Sequence, residues 1–412
     1  MKITKCRACG SEDLQLIINL GDQYLSDFRK DDLKPKKYPL ELLKCAKCHF
    51  CQLAETAPFA EMYTENYGFK SGVNNTIKAD LKDITDQAKS YINRETVTVL
   101  DIGSNDGQGL SNYAPKDFKV GIDPIKKLCV EATPKADFII NDFFSKEKVE
   151  FILGKGFKFD IITAISMFYD VEDPDKLIAD MVSMLKQDGV ITIQQNYILA
   201  TLKNNAYDNI CHEHIGYHSL LSMEYLFEKN GLEVVDVSTS MVNGGVLRTV
   251  VQRKGVSEPT SRVQEQRDLE SAYCLDNIIT YRNFAYRVES TAKRLKELIV
   301  NINKEGKKCY IYGASTRGGT IWQYVGLDVN DLPFAVDRNP EKVGKNIASI
   351  GVPIISEEQA RLDKPEYMLV SIWFFKEEVL EREKEYLQAG GKLIMPLPGI
   401  AIYDRSYNSD VS

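Results

Sequence analysis

The spacing of apolar and polar positions divides the chain into three segments. Up to about position 76 the sequence shows little regular periodicity. From 77 to 255, short apolar runs such as VTVLDIG, FDIITAIS and GVITIQQ alternate with amphipathic stretches, which is typical of a parallel sheet covered by helices. After a polar stretch, a long helical pattern leads into a second β-α series that includes KCYIYGAS and YMLVSI. The pattern predicts three domains, 1–76, 77–255 and 256–412.

Composition agrees with a folded chain of more than one domain. The 412 residues are 43% apolar and 27% charged, which is enough apolar surface for two or three cores. The net charge of -7 argues against a general nucleic-acid binder. The start, MKITKCRACG, lacks the apolar region of a signal peptide, and no run of about 18 apolar residues suggests a membrane span. We expect a cytoplasmic protein with no membrane or nucleic-acid partner.

Two cysteine pairs in the first segment have the spacing of a metal site. They are Cys6 and Cys9 in CRAC, and Cys45 and Cys48 in CAKC. Two CxxC pairs can offer four thiolates to one tetrahedral Zn²⁺. The odd total of nine cysteines favours a reducing compartment over disulfides. We predict structural zinc, with buried or redox cysteines as the alternative, and neither Cys51 nor His49 is needed as a ligand.

The stretch VLDIGSNDG follows the first strand of the second segment. Gly103 and Gly107 permit a tight turn and a close approach of the backbone to a ligand. Asp101 and Asp106 place negative charge there, which favours a cationic cofactor, S-adenosylmethionine (SAM), over NAD. Together with Asn105, these residues form the predicted cofactor site.

Two later stretches extend the predicted cofactor site. Asp123, in GIDP, ends the second strand and could bind both ribose hydroxyls, as the acid of dinucleotide folds does. Asp142 and Phe143 follow the third strand and could meet the adenine by hydrogen bonding and stacking. Each acid could instead cap a helix N-terminus.

Three of the four histidines lie within NICHEHIGYHS. Imidazole titrates near neutral pH, so the cluster suggests proton transfer or metal binding. A second metal site is disfavoured, because only Cys211 adds a clear ligand nearby and the CxxC pairs already accommodate zinc. For a lone histidine, a buried and hydrogen-bonded core position would be the expected alternative.

At this point the chain resembles a known family. VLDIGSNDG followed by GIDP is similar to the first motif and next strand of class I SAM-dependent methyltransferases. The CxxC pairs, HEH, NGG and GAS resemble, in the same order, a three-domain family of sugar C-methyltransferases, which make branched-chain deoxysugars for antibiotics and bacterial surface polysaccharides. The resemblance implies an α/β fold with a class I methyltransferase (Rossmann-like) domain, a small N-terminal zinc-binding domain and a C-terminal α/β Rossmann-like domain.

The resemblance also implies a reaction. A ketone at C4 of a nucleotide-linked 6-deoxysugar makes the neighbouring C–H acidic, and the enolate can attack the SAM methyl. His214 is the implied base, with Glu213 beside it and Tyr67, in YGFKS, as a third active-site residue. Further candidates for holding the enolate oxygen, each with a core position as its alternative, are Tyr169, Tyr197 and Tyr217.

Some positions depart from the pattern of certain family members. Cys211 replaces a tyrosine before HEH, Tyr169 and Asp170 stand where some members have a histidine, and Asn243 precedes Gly244 and Gly245 where histidine is common. These departures indicate a subfamily and leave the sugar and the methylated carbon open. Substrate contact is still predicted for Asn243, Gly244 and Gly245.

The third segment contains a glycine-rich turn, YIYGASTRGGT, at a helix start, where backbone N–H groups bind anions. Arg317 adds a positive charge that suits a diphosphate. The predicted nucleotide-sugar site consists of Ser315, Arg317, Asp337 and Asn339. A degenerate Rossmann unit used only for packing is the alternative.

The predicted function is therefore SAM-dependent C-methylation of a nucleotide-linked 4-keto-6-deoxysugar. Two alternatives stay open. One is a sugar O-methyltransferase in which His214 deprotonates a hydroxyl, and the other is a non-catalytic, zinc-organised module that only binds SAM or a nucleotide. The nucleotide, the sugar and the oligomeric state are left undetermined.

Overall fold

The computed structural model describes residues 2–31, 33–62 and 70–406. Within these residues, the strands form three sheets of four, seven and eight strands. No helix in the described part of the chain is long and apolar enough to cross a bilayer.

The N-terminal sheet is antiparallel and has the order β1-β3-β4-β10. The elements of this part of the chain are β1 (Leu14–Tyr24), β2 (Phe28–Arg29), β3 (Lys37–Cys45), β4 (Cys51–Leu53) and α1 (Phe59–Met62). Buried and less buried positions alternate along β3, where Leu40 and Leu42 are fully buried, as expected for a strand with one face on a core. β10 (Gly216–Tyr217) comes from the middle of the chain.

The middle sheet has the order β11-β12-β9-β8-β5-β6-β7. The elements of this region are α2 (Asn75–Ser90), β5 (Thr98–Ile102), β6 (Phe118–Asp123), α3 (Lys126–Ala132), β7 (Phe138–Asn141), α4 (Lys146–Leu153), β8 (Phe159–Ile165), α5 (Pro174–Met184), β9 (Leu185–Asn196), α6 (Ile198–Lys203), α7 (Leu220–Lys229), β11 (Leu232–Ser240) and β12 (Val246–Arg253). β12 lies antiparallel between β9 and β11, while β5 to β9 run parallel. Counted within the domain this order is 3-2-1-4-5-7-6, the arrangement of a class I methyltransferase domain.

Two helices follow β12, namely α8 (Ser261–Ala272) and α9 (Ile278–Lys304). Glu270 of α8 accepts hydrogen bonds from the backbone N–H groups of Leu220 and Leu221 at the start of α7. α8 therefore packs on the middle domain, although it lies beyond the predicted boundary at 255. α9 buries Tyr281, Phe284, Val288 and Leu295, whose spacing of three, four and seven gives one apolar face.

The C-terminal sheet has the order β19-β18-β17-β13-β14-β16-β15-β2. The elements are β13 (Cys309–Tyr312), α10 (Gly318–Val325), β14 (Ala335–Val336), β15 (Asn346–Ile347), β16 (Val352–Ile355), α11 (Glu357–Asp363), β17 (Tyr367–Val370), α12 (Lys376–Arg382), α13 (Lys384–Gln388), β18 (Lys392–Met395) and β19 (Ala401–Tyr403). The five strands β18-β17-β13-β14-β16 are parallel, which gives the predicted Rossmann-like unit.

Two short strands join the domains. β2 of the N-terminal segment pairs with β15 of the C-terminal sheet, and β10, directly after HEH, pairs with β4 of the N-terminal sheet. The HEH loop is therefore held between the cysteine-rich segment and the middle domain.

Candidate active site

The four predicted zinc ligands meet at one point. The Sγ atoms of Cys6 and Cys48 are 3.6 Å apart, those of Cys9 and Cys45 are 3.5 Å apart, and all four lie within 4.8 Å of one another. Zn–S bonds of about 2.3 Å in a tetrahedron place the sulfurs about 3.8 Å apart, so the cluster has room for one Zn²⁺. The four thiols leave no open coordination position, which makes the metal structural.

The two CxxC turns share one backbone form. Gly10 N–H donates to the Cys6 carbonyl at 2.8 Å, and His49 N–H donates to the Cys45 carbonyl at 3.0 Å. Gly10 and His49 both have left-handed φ angles, 71° and 61°. The turn requires a residue that tolerates a left-handed φ at position 49, and the His49 ring lies outside the metal cluster, with its Nδ1 3.0 Å from Lys44 Nζ. Cys51, fully buried, also lies outside the metal cluster.

The glycine-rich loop follows β5 at the carboxyl edge of the middle sheet. Gly103 and Gly107 have φ angles of 72° and 74°, which L side chains rarely adopt. A Cβ at Gly103 would lie 2.9 Å from Met167 Cγ, and one at Gly107 would lie 3.1 Å from Ala132 Cα. Glycine is therefore favoured at both positions, because the backbone has a positive φ angle and a side chain would contact its neighbours too closely.

A cleft of about 580 Å³ opens beside this loop. Its lining includes the predicted residues Asp101, Gly103, Asn105 and Asn243. Burial raises the pKa of Asp101 to about 7. A hydrogen bond from Thr163 Oγ1, at 2.7 Å, acts in the opposite direction and lowers this pKa. Asp80 of α2 adds a second acid to the lining. Asp80 forms an ion pair with buried Arg248 at 2.8 Å, so the fit of this partly enclosed cleft to a cationic cofactor such as SAM depends on Asp101 and on the cleft's place at the carboxyl ends of parallel strands.

Two further predicted acids hold the cleft's loops together. Asp123 accepts backbone hydrogen bonds from Asn105 at 2.9 Å and Ile125 at 2.8 Å, and burial raises its pKa. Asp106 is 2% exposed and accepts from the backbone N–H of Gly72 at 3.1 Å. Both acids organise the loop in this structure, and binding of ribose by Asp123 stays a prediction.

Asp142 and Phe143 lie outside the lining of the 580 Å³ cleft. Asp142 forms an exposed ion pair with Lys148 at 2.6 Å, and that pair lowers its pKa. Phe143 is 49% exposed, with its ring 6.0 Å from that of Phe59. Neither residue lines the 580 Å³ cleft, so their contact with an adenine stays a prediction.

The three clustered histidines have different surroundings. His212 Nε2 lies 3.0 Å from the Tyr38 carbonyl oxygen of β3. His218 is fully buried, stacks on Phe50 at 4.6 Å between ring centroids and lies 5.1 Å from the ring of Phe168. His218 is thus a core histidine by burial, although neither of its ring nitrogens has a hydrogen-bond partner among the described residues, whereas His212 joins the loop to β3.

His214 is not among the residues that line the 580 Å³ cleft, and its role as the base stays a prediction. Its Nδ1 lies 2.9 Å from the Asn209 carbonyl oxygen, which can only accept, and on this contact we assign the proton to Nδ1 and the lone pair to Nε2. Asn196, at the end of β9, places its side-chain Nδ2 3.0 Å from the same Nδ1, and the assignment requires this amide to present its Oδ1 to the ring instead. The Tyr169 ring meets the imidazole edge-on at 4.6 Å. Burial, with the nearby charge of Arg317, lowers the His214 pKa to about 4, so the ring is neutral at pH 7.

Glu213 faces a second cleft, of about 390 Å³, where the three domains meet. This cleft is lined by Tyr24 of the N-terminal segment, Cys211 and His212 of the HEH loop, and Thr316 and Gln323 of the C-terminal domain, among others. Burial raises the pKa of Glu213 to about 7. A carboxyl group with that pKa can exchange a proton near neutral pH.

The tyrosine candidates separate clearly. Tyr67 lies outside the described residues. The Tyr197 hydroxyl donates to buried Glu270 at 2.9 Å, and that of Tyr217 donates to the Asn209 carbonyl at 3.1 Å. Those two hydroxyls are engaged in the fold, and Tyr169 is the candidate whose ring lies against His214.

The NGG turn closes the cofactor cleft. Asn243, Gly244 and Gly245 all have positive φ angles, of 51°, 88° and 119°. Asn243 lines the 580 Å³ cleft rather than the cleft at Glu213. A Cβ at Gly245 would lie 2.3 Å from Ala200 Cβ, so this position has no space for a side chain.

The predicted nucleotide-sugar residues of the C-terminal domain make internal contacts. Ser315 Oγ accepts from Gly318 N–H at 3.0 Å, at the start of α10. Asp337 accepts backbone hydrogen bonds from Ala314 at 2.9 Å and Asn339 at 2.8 Å.

Arg317 was predicted to bind a substrate diphosphate, but in the structure its guanidinium is paired with a carboxylate of the protein. Its Nη2 lies 2.8 Å from Asp208 Oδ2, in an ion pair between the C-terminal and middle domains. Substrate binding by this residue stays a prediction. The sequence did not indicate Asp208 as the partner of Arg317 or Asp80 as a residue of the cofactor cleft, because an acid inside a polar stretch gives no sign of a distant contact.

Three family models match successive parts of the chain. Residues 6–63 match the family described as "Putative zinc binding domain", residues 74–237 match "Methyltransferase domain", and residues 241–398 match "C-methyltransferase C-terminal domain". These matches confirm the predicted methyltransferase and its zinc-binding segment.

Full-length and structural relatives were also found. The C-methyltransferase NovU of Streptomyces niveus is 28% identical over 403 residues, and the alignment covers 96% of each chain. Magnesium protoporphyrin IX methyltransferase (ChlM) of Synechocystis PCC 6803, solved with bound SAH, is 15% identical with a TM-score of 0.35 over 46% of this chain and 91% of its own. YcgJ of Bacillus subtilis is 17% identical with a TM-score of 0.34 over 43% and 99%.

The strand order of the middle sheet and the three family matches both indicate a methyltransferase. The TM-scores of the two solved structures, 0.35 and 0.34, are too low to support this conclusion further. The chain therefore carries, in this order, segments similar to a zinc-binding domain, a class I methyltransferase domain and a C-methyltransferase C-terminal domain.

Proposed function

We propose that the chain methylates carbon in a nucleotide-linked 4-keto-6-deoxysugar, with SAM as the methyl donor. The observation that carries this proposal is the 2.9 Å contact between His214 Nδ1 and the Asn209 carbonyl oxygen, from which we assign the proton to Nδ1 and the basic lone pair to Nε2. A full-length C-methyltransferase relative supports methylation at carbon. SAM supplies an electrophilic methyl group when bound, and the acidic cleft beside Asp101 would hold it.

Methylation at carbon requires a carbanion, and a sugar C–H becomes acidic only beside a carbonyl. Nε2 of His214 would take the α-proton, while the electron pair of the C–H bond moves into the ketone and gives an enolate. Glu213, when ionised, would stabilise the imidazolium that results. Tyr169 lies next to the imidazole and would donate its hydroxyl to the enolate oxygen.

The cysteines support a reducing compartment for this reaction. All nine are free in the structure, and four of them form the metal cluster. A four-thiolate site requires reduced sulfur, because a disulfide would remove two of its ligands. We therefore propose that the protein works in the cytoplasm.

Proton exchange tests the carbanion directly. We expect the chain, incubated in heavy water with S-adenosylhomocysteine and a dTDP-, GDP- or CDP-linked 4-keto-6-deoxyhexose, to place deuterium on the carbon next to the ketone. Replacing S-adenosylhomocysteine by SAM should then give a product heavier by one CH2 group. Both products are measured by mass spectrometry, and the corresponding 4-hydroxy sugar is the control.

Two results would contradict this expectation. Methyl transfer to the 4-hydroxy sugar without exchange would identify an O-methyltransferase. Cofactor binding with neither exchange nor transfer for any of the three nucleotides would favour the non-catalytic module.

The pH dependence of exchange should follow Glu213. The pKa of His214 is about 4, so the base is already neutral above about pH 5, whereas the pKa of Glu213 is about 7 and its carboxylate forms between pH 6 and 8. We expect the exchange rate to rise about tenfold over that interval. In Glu213→Gln the rate should be lower and flat, and the exposed Glu358→Gln should keep the wild-type profile. Identical profiles for wild type and Glu213→Gln would contradict the assignment.

A further inference from the structure

Arg317 contacts two segments of the methyltransferase domain at once. Its Nε and Nη2 donate to Asp208 Oδ2 at 3.0 and 2.8 Å, and its Nη1 donates to the Asn243 carbonyl at 2.5 Å. The guanidinium also lies 4.4 Å from the centre of the Phe374 ring. All of its donor nitrogens thus have partners within the protein, and the side chain is 12% exposed. Such an arginine is poorly placed to bind a substrate diphosphate.

Asp208 lies where the C-terminal domain meets the segment before HEH. Its side chain is fully buried, and Trp373 Nε1 of the C-terminal domain donates to the same Oδ2 at 3.0 Å. Burial raises the pKa of Asp208, and the adjacent Arg317 charge opposes that rise. Three N–H groups from one domain therefore converge on a single carboxylate oxygen of another.

A second contact lies two residues further along the same segment. Thr320 Oγ1, in the first turn of α10, donates to the Ile210 carbonyl at 3.0 Å. Both Thr320 and the Ile210 backbone are buried there. The C-terminal domain thus binds the residues immediately before and immediately after Asn209.

The carbonyl of Asn209 orients His214 together with the side chain of Asn196, which lies 3.0 Å from the same Nδ1. It accepts from Nδ1 of His214 at 2.9 Å and from the Tyr217 hydroxyl at 3.1 Å. Any shift of this peptide would release the Nδ1 proton from its acceptor and allow the imidazole to rotate or change tautomer. Two groups of the C-terminal domain hold the flanks of this peptide, although neither contacts the ring itself.

We propose that the C-terminal domain positions the imidazole of His214 for catalysis, with Arg317 and Thr320 as positioning residues that act through the 208–210 segment. The proposal rests on His214 being the base of the proposed function. It assigns Arg317 a role different from the diphosphate contact that its place in a glycine-rich turn suggests. Because Arg317 also binds the Asn243 carbonyl, the same side chain holds the turn that lines the cofactor cleft.

Variants of Arg317 and Thr320 test the positioning role. Thr320→Val keeps the shape but loses the hydrogen bond to Ile210, and Thr320→Ser restores the hydroxyl. Arg317→Lys keeps the charge beside buried Asp208 but cannot donate to Asp208 and Asn243 in the same geometry. We expect kcat to fall about tenfold in Thr320→Val and about 100-fold in Arg317→Lys. KM for the nucleotide sugar that is turned over should stay within about twofold.

The tautomer of His214 gives a readout that does not depend on turnover. The chain has four histidines, so ¹⁵N-histidine labelling with His214→Gln as the assignment reference can identify its ring signals without any ligand. Wild type and Thr320→Ser should show the Nδ1–H tautomer, whereas Thr320→Val and Arg317→Lys should show a mixture. The exposed Arg294→Lys and Thr239→Val are matched controls and should leave the spectrum and kcat unchanged.

The outcomes separate this proposal from the proposed function. A raised KM at constant kcat, with an unchanged His214 spectrum, would make Arg317 a substrate ligand and overturn the positioning role. Unchanged kcat and spectrum in both variants would overturn it as well. Exchange that persists in His214→Gln, together with altered spectra in Thr320→Val, would refute the base assignment while the structural link to the imidazole stands.

Discussion

His214→Gln is expected to lower both deuterium exchange and methyl transfer by at least about 100-fold, the usual contribution of a general base. Glutamine can occupy the same space and donate to the Asn209 carbonyl, but it has no lone pair basic enough to take a proton from carbon. Since the change is confined to the side chain, S-adenosylhomocysteine should still bind in the cleft beside Asp101. Calorimetry measures that binding, and mass spectrometry follows exchange.

A matched histidine variant makes the result specific. His49→Asn alters a histidine outside both clefts, in a left-handed position that asparagine tolerates, and should keep wild-type exchange. If His214→Gln retained more than about a tenth of the wild-type exchange rate, another group would have to be the base. The described alternative in that case is Glu213, whose raised pKa suits proton transfer.

Removal of the metal is expected to have the second large effect. The isolated chain should contain one zinc ion, and Cys48→Ser or a strong chelator should remove it. The N-terminal sheet has a small core around Leu40 and Leu42, so loss of the tetrahedral site should cost several kcal/mol and lower the melting temperature by roughly 10 °C. Metal content and thermal unfolding measure these changes.

Exchange activity should also fall when zinc is lost. β10 directly follows the HEH loop and pairs with β4, so disorder in the N-terminal sheet would reach Glu213 and His214 through that pairing. The exposed Cys274→Ser is the matched control and should leave metal content, stability and exchange unchanged. A metal-free wild-type chain with the same unfolding temperature would contradict the structural role of the cluster.

The sequence alone was sufficient for features that depend on neighbouring residues. Within each CxxC pair the two thiols face one point because the pair spans one tight turn, and the glycine-rich loop takes its form from φ angles at Gly103 and Gly107 that only glycine adopts easily. The β-α rhythm likewise predicted both Rossmann-like sheets, because buried parallel strands need continuous apolar runs.

Only the tertiary structure decided which charged and polar groups meet. The three clustered histidines are equivalent in sequence, yet His218 packs between aromatic rings while His214 keeps a free Nε2. Arg317 has a diphosphate-binding context in sequence, but it pairs with Asp208 more than 100 positions away. Local patterning determines turns and strands through backbone sterics and burial, whereas ion pairs and tautomers depend on contacts between distant segments that a linear pattern does not encode.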